Sequence, residues 1–255
     1  MLVVVASIKA SPGGTACALG LASAWPETAR PAMVIETDAA GGDIAAWFHL
    51  NSAASVVELA AVSHSHATTD SALMFDMFTQ HVSVGHTSVS VIAGATDPRQ
   101  AASAVEVLTA SAPMILNPTD RCVFADVGRL SMDSHGWSLL KHADAAVIVV
   151  GGQARQIAHL RPMLTELRGV CGQRLCVAVR PGVYNAHAVA DLFYATEAKI
   201  PVLGDIPHDP DLSGDLAVRA TRRARRSAAS AWTDLAARLH TVATPASLAI
   251  ERAKA

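Results

Sequence analysis

The residues with the clearest chemical potential lie near the N-terminus, where a lysine, two adjacent glycines and a threonine fall within one turn. The turn comprises Lys9, Ala10, Ser11, Pro12, Gly13, Gly14 and Thr15. The β-branched residues 3–5 predict a buried strand before it, and the Ala- and Leu-rich residues 15–25 predict a helix after it. A glycine turn between a strand and a helix presents backbone N–H groups and a helix N-terminus to a phosphate. The complete pattern G-x-x-x-x-G-K-[ST] is absent, so an ordinary strand–turn–helix without a ligand is the alternative.

Two aspartates are predicted to follow strands that end at the same edge of a sheet. Asp38 follows a strand at residues 32–37, and Asp126 ends a strand at residues 122–126. Ligands of a parallel sheet bind beyond the carboxyl ends of its strands, so both carboxylates are expected near the glycine turn. There Asp126 would hold Mg²⁺ through water, with the Thr15 hydroxyl as a direct ligand. Taken singly, either aspartate is also a typical helix cap.

These side chains require a parallel sheet to position them, and the rest of the sequence predicts one. Strands are predicted at residues 3–5, 32–37, 88–93, 122–126, 145–150, 175–179 and 201–205. Helices are predicted at residues 15–25, 54–62, 69–79, 98–111, 131–143, 155–168, 186–196 and 219–239, with a short one ending near residue 50. This alternation predicts an α/β fold, a single doubly wound, mostly parallel sheet with helices on both faces. Residues 1–240 are predicted to form one domain, followed by a C-terminal tail at 241–255.

Composition narrows the class of protein further. The chain has 255 residues, of which 51% are hydrophobic and 16% charged, and a net charge of −2. It contains no unbroken apolar run of about 20 residues, so no membrane span is predicted. No basic region or cleavage site precedes the first strand, which argues against a signal peptide. Four cysteines without a C-x-x-C pair favour a reduced, cytoplasmic protein.

The glycine turn resembles the deviant P-loop of the ParA/MinD family of ATPases, whose loop reads K-G-G-x-G-K-T. Lys9 takes the place of the family's signature lysine, which reaches the phosphates of the partner subunit in a dimer, and Gly13 and Thr15 also match. Ala10 and Ser11 replace two glycines, and Gly14 replaces the lysine that holds the β- and γ-phosphates. A charge-assisted contact to phosphate contributes roughly 1.5–3 kcal/mol, so the last change weakens the loop most. Pro12 also has no N–H to donate.

The resemblance extends over about residues 2–240 and implies roles for further residues. Asp38 matches the second aspartate of the family's D-x-D motif, which helps to position the attacking water, and Glu36 stands at the first. Asp126 matches the Walker B aspartate, after which the family often continues D-x-P-P or D-x-G; Arg129 is a departure without an assigned role. The phosphate-binding backbone would continue to Ala16.

The purine side of the site is implied by residues 200–209. They resemble the family's closing strand and loop, P-V-L-G-x-I-P-x-D, in which Pro207 would pack on the adenine and Asp209 ends the motif. Arg180 stands where the family has an asparagine that reads the adenine edge, and it either stacks on the base or faces solvent. The sequence looks most similar to MinD-like proteins of high-GC Gram-positive bacteria and to the related TadZ/CpaE group.

The resemblance implies ATP or ADP with Mg²⁺, a homodimer and three competing functions. The first is an ATP-dependent dimerisation switch that positions a division, partitioning, pilus or secretion machine through a protein partner, with slow or absent hydrolysis. The second is an adaptor that keeps the fold but has lost nucleotide turnover. The third is a partitioning protein that binds DNA non-specifically, since phosphate contacts dominate such affinity. That function depends on a cluster of five arginines, for which a solvated helix face is the alternative interpretation. The cluster comprises Arg219, Arg222, Arg223, Arg225 and Arg226.

Overall fold

The hydrophobic runs that predict strands form one sheet. A computed structural model of the chain describes residues 1–10, 12–65, 71–110, 115–195, 200–212 and 221–244. The strands are β1 (Leu2–Ser7), β2 (Ala32–Glu36), β3 (Gln80–Val84), β4 (Thr87–Ile92), β5 (Cys122–Arg129), β6 (Ala145–Gly151), β7 (Leu175–Arg180) and β8 (Val202–Asp205). Their order in the sheet is β3-β4-β2-β5-β1-β6-β7-β8, and every pairing is parallel except that of β3 with β4.

Helices cover both faces of this sheet. They are α1 (Gly14–Ser23), α2 (Ile44–Phe48), α3 (Val56–Ser65), α4 (Ser71–Phe78), α5 (Pro98–Ala110), α6 (Gly136–His142), α7 (Ala154–Cys171), α8 (Ala186–Ala195) and α9 (Arg222–Ala243). The predicted fold class, a doubly wound and mostly parallel sheet, is confirmed. None of the helices that the structure describes is long and apolar enough to cross a membrane.

The central strand β1 shows why both faces must be covered. All six of its residues are buried. Leu2, Val4 and Ala6 belong to one hydrophobic core, whereas Val3 and Val5 belong to a second core on the opposite face. Because side chains alternate along a strand, a continuous apolar run can be buried only between two layers of helices. The glycine turn leaves this strand at the carboxyl edge of the sheet.

The sequence interpretation missed strand β3. Gln80–Val84 pairs with β4 through a tight turn at Gly85, where φ is +61°. Only Val82 and Val84 of β3 are buried, and His81 and Ser83 are exposed. The strand therefore lacks the continuous apolar run that marks the central strands.

Several predicted boundaries also differ from the structure, and three of them bear on the strand edge or on the predicted tail. Strand β5 does not end at Asp126 but continues to Arg129, because the chain keeps pairing with β1 up to Ser7. Helix α6 begins at Gly136 rather than at residue 131, since Ser131 and Ser134 close a turn before it. Helix α9 runs to Ala243, into the predicted tail, and residues 245–255 lie outside the described residues.

Helix α1 is held against α9 by one large side chain. Trp232 of α9 is buried, and its indole Nε1 donates to Asp209 Oδ2 at 2.9 Å. A Cβ atom on Gly20 of α1 would lie 2.2 Å from Cε2 of this indole. Glycine is therefore required at position 20 to let the ring approach, despite its poor helix propensity.

We expect Gly20→Ala to lower the free energy of unfolding by about 1–3 kcal/mol, because the added methyl group overpacks the contact with Trp232. Urea unfolding measures the change. Gly169→Ala in α7 is the matched control, since no atom lies within 4 Å of its added Cβ. That variant should be neutral or more stable by up to about 1 kcal/mol. Equal effects of the two substitutions would contradict the steric argument.

Candidate functional site

The residue at the N-cap position of α1 is a glycine, which has no side chain to cap the helix. This residue is Gly13, which directly precedes the helix and has φ +92°. The first N–H groups of any helix lack partners within the helix, so those of α1 are available to a ligand. Ala10 also adopts a left-handed conformation, with φ +61°, at a position where the similar loops have glycine. That conformation costs a residue with a Cβ about 1–2 kcal/mol.

A cleft of about 630 Å³ opens in front of this turn. Four of the predicted phosphate-loop residues, Ala10, Gly13, Gly14 and Thr15, line it together with Asp38. The remaining wall comes from the ends of β1, β2 and β5, from the loop before α2 and from the residues around the start of α6. The structure therefore brings the glycine turn and the first aspartate together at the carboxyl edge of the sheet.

Asp126 lies beneath the same cleft, fully buried in β5. The Gly128 N–H donates to its Oδ1 at 3.1 Å, whereas Oδ2 has no hydrogen-bond partner within the described residues. A Cβ on Gly14 would be in ordinary contact with Oδ1, at 3.6 Å, so the carboxylate sits directly under the start of α1. A buried carboxylate oxygen without a partner is costly unless a cation or a proton compensates it.

The pKa of Asp126 reflects this position. Burial raises the pKa to about 6, the Thr15 side chain and the Gly128 N–H lower it, and the charges of Asp38 and Asp43 raise it. Asp126 and Thr15 are thus close enough to influence each other, as a shared Mg²⁺ site requires. The metal itself is still a prediction. In the described part of the chain no group of three or more His, Cys, Asp or Glu side chains could hold a metal ion unaided.

Asp38 is fixed against strand β5 by a close approach. Its Oδ1 accepts the N–H of Ala40 at 2.8 Å, and a Cβ on Gly128 would lie 1.8 Å from its Oδ2. Gly128 has φ +66°, so its lack of a side chain serves both the backbone conformation and this contact. Burial raises the pKa of Asp38, Asp43 raises it further, and the charge of Arg129 lowers it.

Glu36, two residues before Asp38, joins two segments of the backbone. The carboxylate is buried and accepts the N–H groups of Asp43 at 2.7 Å, Ile44 at 3.1 Å and Gly94 at 2.8 Å. A Cβ on Gly42 would lie 2.3 Å from Oε2, so this glycine makes room for the carboxylate. Glu36 therefore ties the loop before α2 to the end of β4. Burial and the charge of Asp126 raise its pKa to about 7, against the effect of the three N–H groups.

Several predicted site residues lie outside the lining of the cleft. Lys9 is exposed and lies beside Ile148–Val150 of β6 and Gln156 of α7. Pro12 and Ala16 are buried, so only the backbone of Ala16 can face a ligand. Ser11 is outside the described residues.

The predicted purine-side residues bind one another and the core. A guanidinium nitrogen of Arg180, Nη1, donates to the carbonyl oxygen of Pro207 at 3.0 Å. Asp209 is buried and accepts Trp232 Nε1 on Oδ2 and the Asp211 N–H on Oδ1, at 2.9 and 3.0 Å. None of the three predicted residues lines the cleft, so their contact with a base stays a prediction.

The arginines of α9 line a second cleft of about 450 Å³. Arg222, Arg225 and Arg226 face it together with His86, and Arg225 is paired with Asp211 at 3.1 Å. Arg223 is exposed and does not line this cleft, and Arg219 is outside the described residues. DNA binding by this cluster remains a prediction.

Sequence reasoning gave no role to Arg129, which lines the first cleft. Its position three residues after Asp126 was the available signal. The sequence analysis placed Arg129 in a loop after β5, and the direction of a loop side chain cannot be predicted. Because β5 in fact continues to Arg129, the strand fixes its position.

Comparison with known proteins identifies the fold. No protein-family model matches the chain, and no curated protein matches it significantly. The cell division ATPase MinD of Pyrococcus furiosus superposes with a TM-score of 0.66 at 16% identity, covering 94% of this chain and 98% of that protein. A ParA family ATPase of Chlorobium tepidum gives a TM-score of 0.57 at 18% identity, covering 97% and 98%. Cobyrinic acid a,c-diamide synthase of Mycobacterium smegmatis, with a bound ATP analogue and magnesium, gives 0.60 at 16%, covering 94% of each chain. The chain therefore has the fold of ParA/MinD-type P-loop ATPases.

We expect the free energy of unfolding to fall as the pH rises from about 4 to about 7 in the absence of metal. The pKa of Glu36 rises from 4.5 to about 7 on folding and that of Asp126 from 3.8 to about 6. In this interval the folded protein therefore holds more protons than the unfolded chain, and stability is lost as these protons leave.

Asp126→Asn should flatten this decline, because it removes one titrating group and the charge that raises the pKa of Glu36. Urea unfolding at several pH values with EDTA measures the slope. Replacement of the exposed Asp133 by asparagine is the control and should leave the slope unchanged. Identical slopes for Asp126→Asn and the parent protein would contradict the expectation.

Proposed function

We propose that the cleft binds a magnesium–adenine nucleotide, ATP or ADP, and that the protein is a nucleotide-dependent dimerisation switch. One observation carries the proposal. The N-terminus of α1 lines the cleft, and directly beneath it lies buried Asp126, whose Oδ2 has no hydrogen-bond partner among the described residues. The first suits phosphate oxygens and the second suits a cation, which together are the two halves of a metal–phosphate ligand.

The residues present fit such a ligand. Gly13 and Gly14 place no side chain between the cleft and Asp126, so a phosphate can approach the N–H groups closely. Thr15 would bind Mg²⁺ directly and Asp126 through water, while the fixed Asp38 carboxylate would orient a water molecule. A cleft of about 630 Å³ is within the usual range for a small-molecule site. Bound ATP would supply the terminal phosphoryl group for hydrolysis.

Charge makes the metal essential to this proposal. Asp38, Asp43 and Asp133 line the cleft, Asp126 lies beneath it, and Gly14 provides no lysine. These carboxylates repel a nucleotide that carries no metal ion. Binding should therefore be weak and should depend on Mg²⁺.

The position of Lys9 supports a role between two copies of the chain. It is exposed, does not line its own cleft and lies beside residues of β6. If a second copy faces the carboxyl edge of the sheet, this lysine is available to the partner's nucleotide, and ATP becomes part of an isologous interface. MinD and ParA ATPases are among the proteins with this fold, which supports a positioning role in division, partitioning, pilus or secretion systems.

An adaptor without nucleotide turnover is the second candidate, and the loop favours it in two respects. Ala10 holds a strained left-handed conformation, and buried Pro12 offers no N–H. Both features reduce the number of well-placed phosphate donors. The two functions differ in whether nucleotide controls association.

We expect Mg·ATP to bind with a Kd between about 10 μM and 1 mM in calorimetry, and ATP with EDTA to bind more weakly still. Asp126→Ala should abolish the Mg²⁺ dependence, whereas Asp234→Ala, at an exposed position on α9 outside the cleft, should retain it. Gly14→Lys should tighten binding, because it restores the lysine that the loop lacks. Position 14 has room for a Cβ. Sub-micromolar affinity of the parent protein, or an unchanged Mg²⁺ dependence in Asp126→Ala, would contradict this assignment.

Sedimentation velocity separates the switch from the adaptor. In a switch, Lys9→Ala should abolish ATP-induced dimerisation while sparing nucleotide affinity of the monomer, since ATP shifts the equilibrium only through its extra affinity for the dimer. Replacement of the exposed Lys141 by alanine is the matched control and should dimerise like the parent. A dimer that forms without nucleotide and ignores Lys9→Ala would favour the adaptor.

A further inference from the structure

The cleft contains a single permanent cation among the described residues. Of all lysine and arginine residues in that part of the chain, Arg129 alone lines it. The loop position where the similar ATPases carry a phosphate-binding lysine is Gly14. A site for a polyphosphate with so many carboxylates needs positive charge from some other element.

The backbone of Arg129 is held rigidly next to the phosphate loop. It is the last residue of β5 and pairs in register with Ser7, the last residue of β1. The Leu130 N–H donates to the carbonyl oxygen of Ser7 at 2.7 Å, and the Ser7 hydroxyl donates to the carbonyl oxygen of Gly128 at 3.3 Å. Arg129 therefore starts from a fixed point on a strand rather than from a loose loop.

The guanidinium of Arg129 is also uncommitted. It is exposed and makes no hydrogen bond or ion pair with the described residues. Other arginines at strand and helix ends are occupied: Arg121 pairs with Asp76 and Asp120, and Arg174 donates to four backbone carbonyls. Arg129 lines the cleft together with Asp38, and the residue before it, Gly128, closely approaches the Asp38 carboxylate; consistent with this proximity, the charge of Arg129 lowers the pKa of Asp38.

The position of Arg129 on the Asp38 side of the cleft indicates which phosphate its guanidinium can reach. Asp126 and Thr15 would hold a metal ion beside the phosphates of a nucleotide, and the first N–H groups of α1 would bind its inner phosphates. Arg129 lies three residues beyond Asp126 along β5 and directly follows Gly128, which contacts the Asp38 carboxylate. The planar guanidinium can donate two parallel hydrogen bonds to one phosphate.

We propose that Arg129 binds the terminal phosphate of ATP and supplies, from strand β5, the positive charge that the phosphate loop lacks at Gly14. This inference rests on the proposed nucleotide site and makes it selective for the triphosphate. It also explains how the site can favour ATP over ADP without the loop lysine.

Calorimetry with Mg·ATP and Mg·ADP tests the inference. Arg129→Ala should weaken Mg·ATP binding about 10- to 100-fold and change Mg·ADP binding by no more than about 2-fold. Arg129→Lys keeps the charge but not the fork and should fall between the parent and Arg129→Ala. Arg161→Ala, at an exposed position on α7 outside the cleft, is the matched control and should bind both nucleotides like the parent.

A charge-transfer variant makes the test sharper. In the double variant Gly14→Lys with Arg129→Ala, the lysine should restore most of the lost Mg·ATP affinity, because both cations serve the same phosphates. If Gly14→Lys failed to restore the affinity, the inference that Arg129 takes over the role of the loop lysine would be overturned. Circular dichroism melting checks that each variant is folded.

The outcomes distinguish this inference from the proposed function. If the parent binds Mg·ATP and Arg129→Ala binds it equally well, the role of Arg129 is overturned and the nucleotide site stands. An equal loss for Mg·ATP and Mg·ADP would overturn the assignment to the terminal phosphate. If the parent binds neither nucleotide, the proposed function and the inference both fail.

Discussion

The carboxylate of Asp126, buried in the centre of a parallel sheet, is the constraint to which the surrounding loops conform. The main-chain carbonyl of Asp126 accepts both the N–H and the hydroxyl of Thr37, at 2.7 and 3.0 Å. These two bonds connect the end of β2 to β5. The side chain of Asp126 sits under Gly14, and only one of its oxygens is bonded within the described residues. Burial raises the pKa of Asp126 and of its neighbour Glu36, and the charge of Asp126 raises the pKa of Glu36 further. The edge of the sheet is thus built around a negative charge that a cation would compensate.

Glycine residues allow several carboxylates to lie close together at this edge of the sheet. Gly128 admits Asp38, and Gly42 admits Glu36, each at a distance that any Cβ would prevent. Three N–H groups bind the carboxylate of Glu36, whereas Asp38 accepts one N–H and lines the cleft. Two carboxylates only two positions apart therefore have different surroundings: that of Glu36 is buried among backbone groups, and that of Asp38 lines the cleft.

The sequence was sufficient where the signal is local and insufficient where it depends on distant contacts. The central strands β1 and β6 are uninterrupted apolar runs, and their burial on two faces follows from that pattern alone. Strand β3 owes its existence to pairing with β4, and the last residues of β5 owe theirs to pairing with β1. The juxtaposition of the glycine turn with Asp38 and Asp126 followed from the rule that parallel strands end at one edge. The three bonds of Glu36 come from residues 7, 8 and 58 positions away, and no local pattern contains them.

The two outer strands of the sheet have a consequence for how copies of this protein can meet. Strand β3 has five residues and runs against its neighbour, and β8 has four and shifts register beside β7, with Gly204 at φ +148°. Short, irregular margins present few aligned N–H and C=O groups to a neighbouring chain. They disfavour the lateral joining of sheets that leads to fibrils and open-ended polymers. Association is thereby directed to surfaces made of loops and side chains, which can be broken and remade without disturbing the sheet.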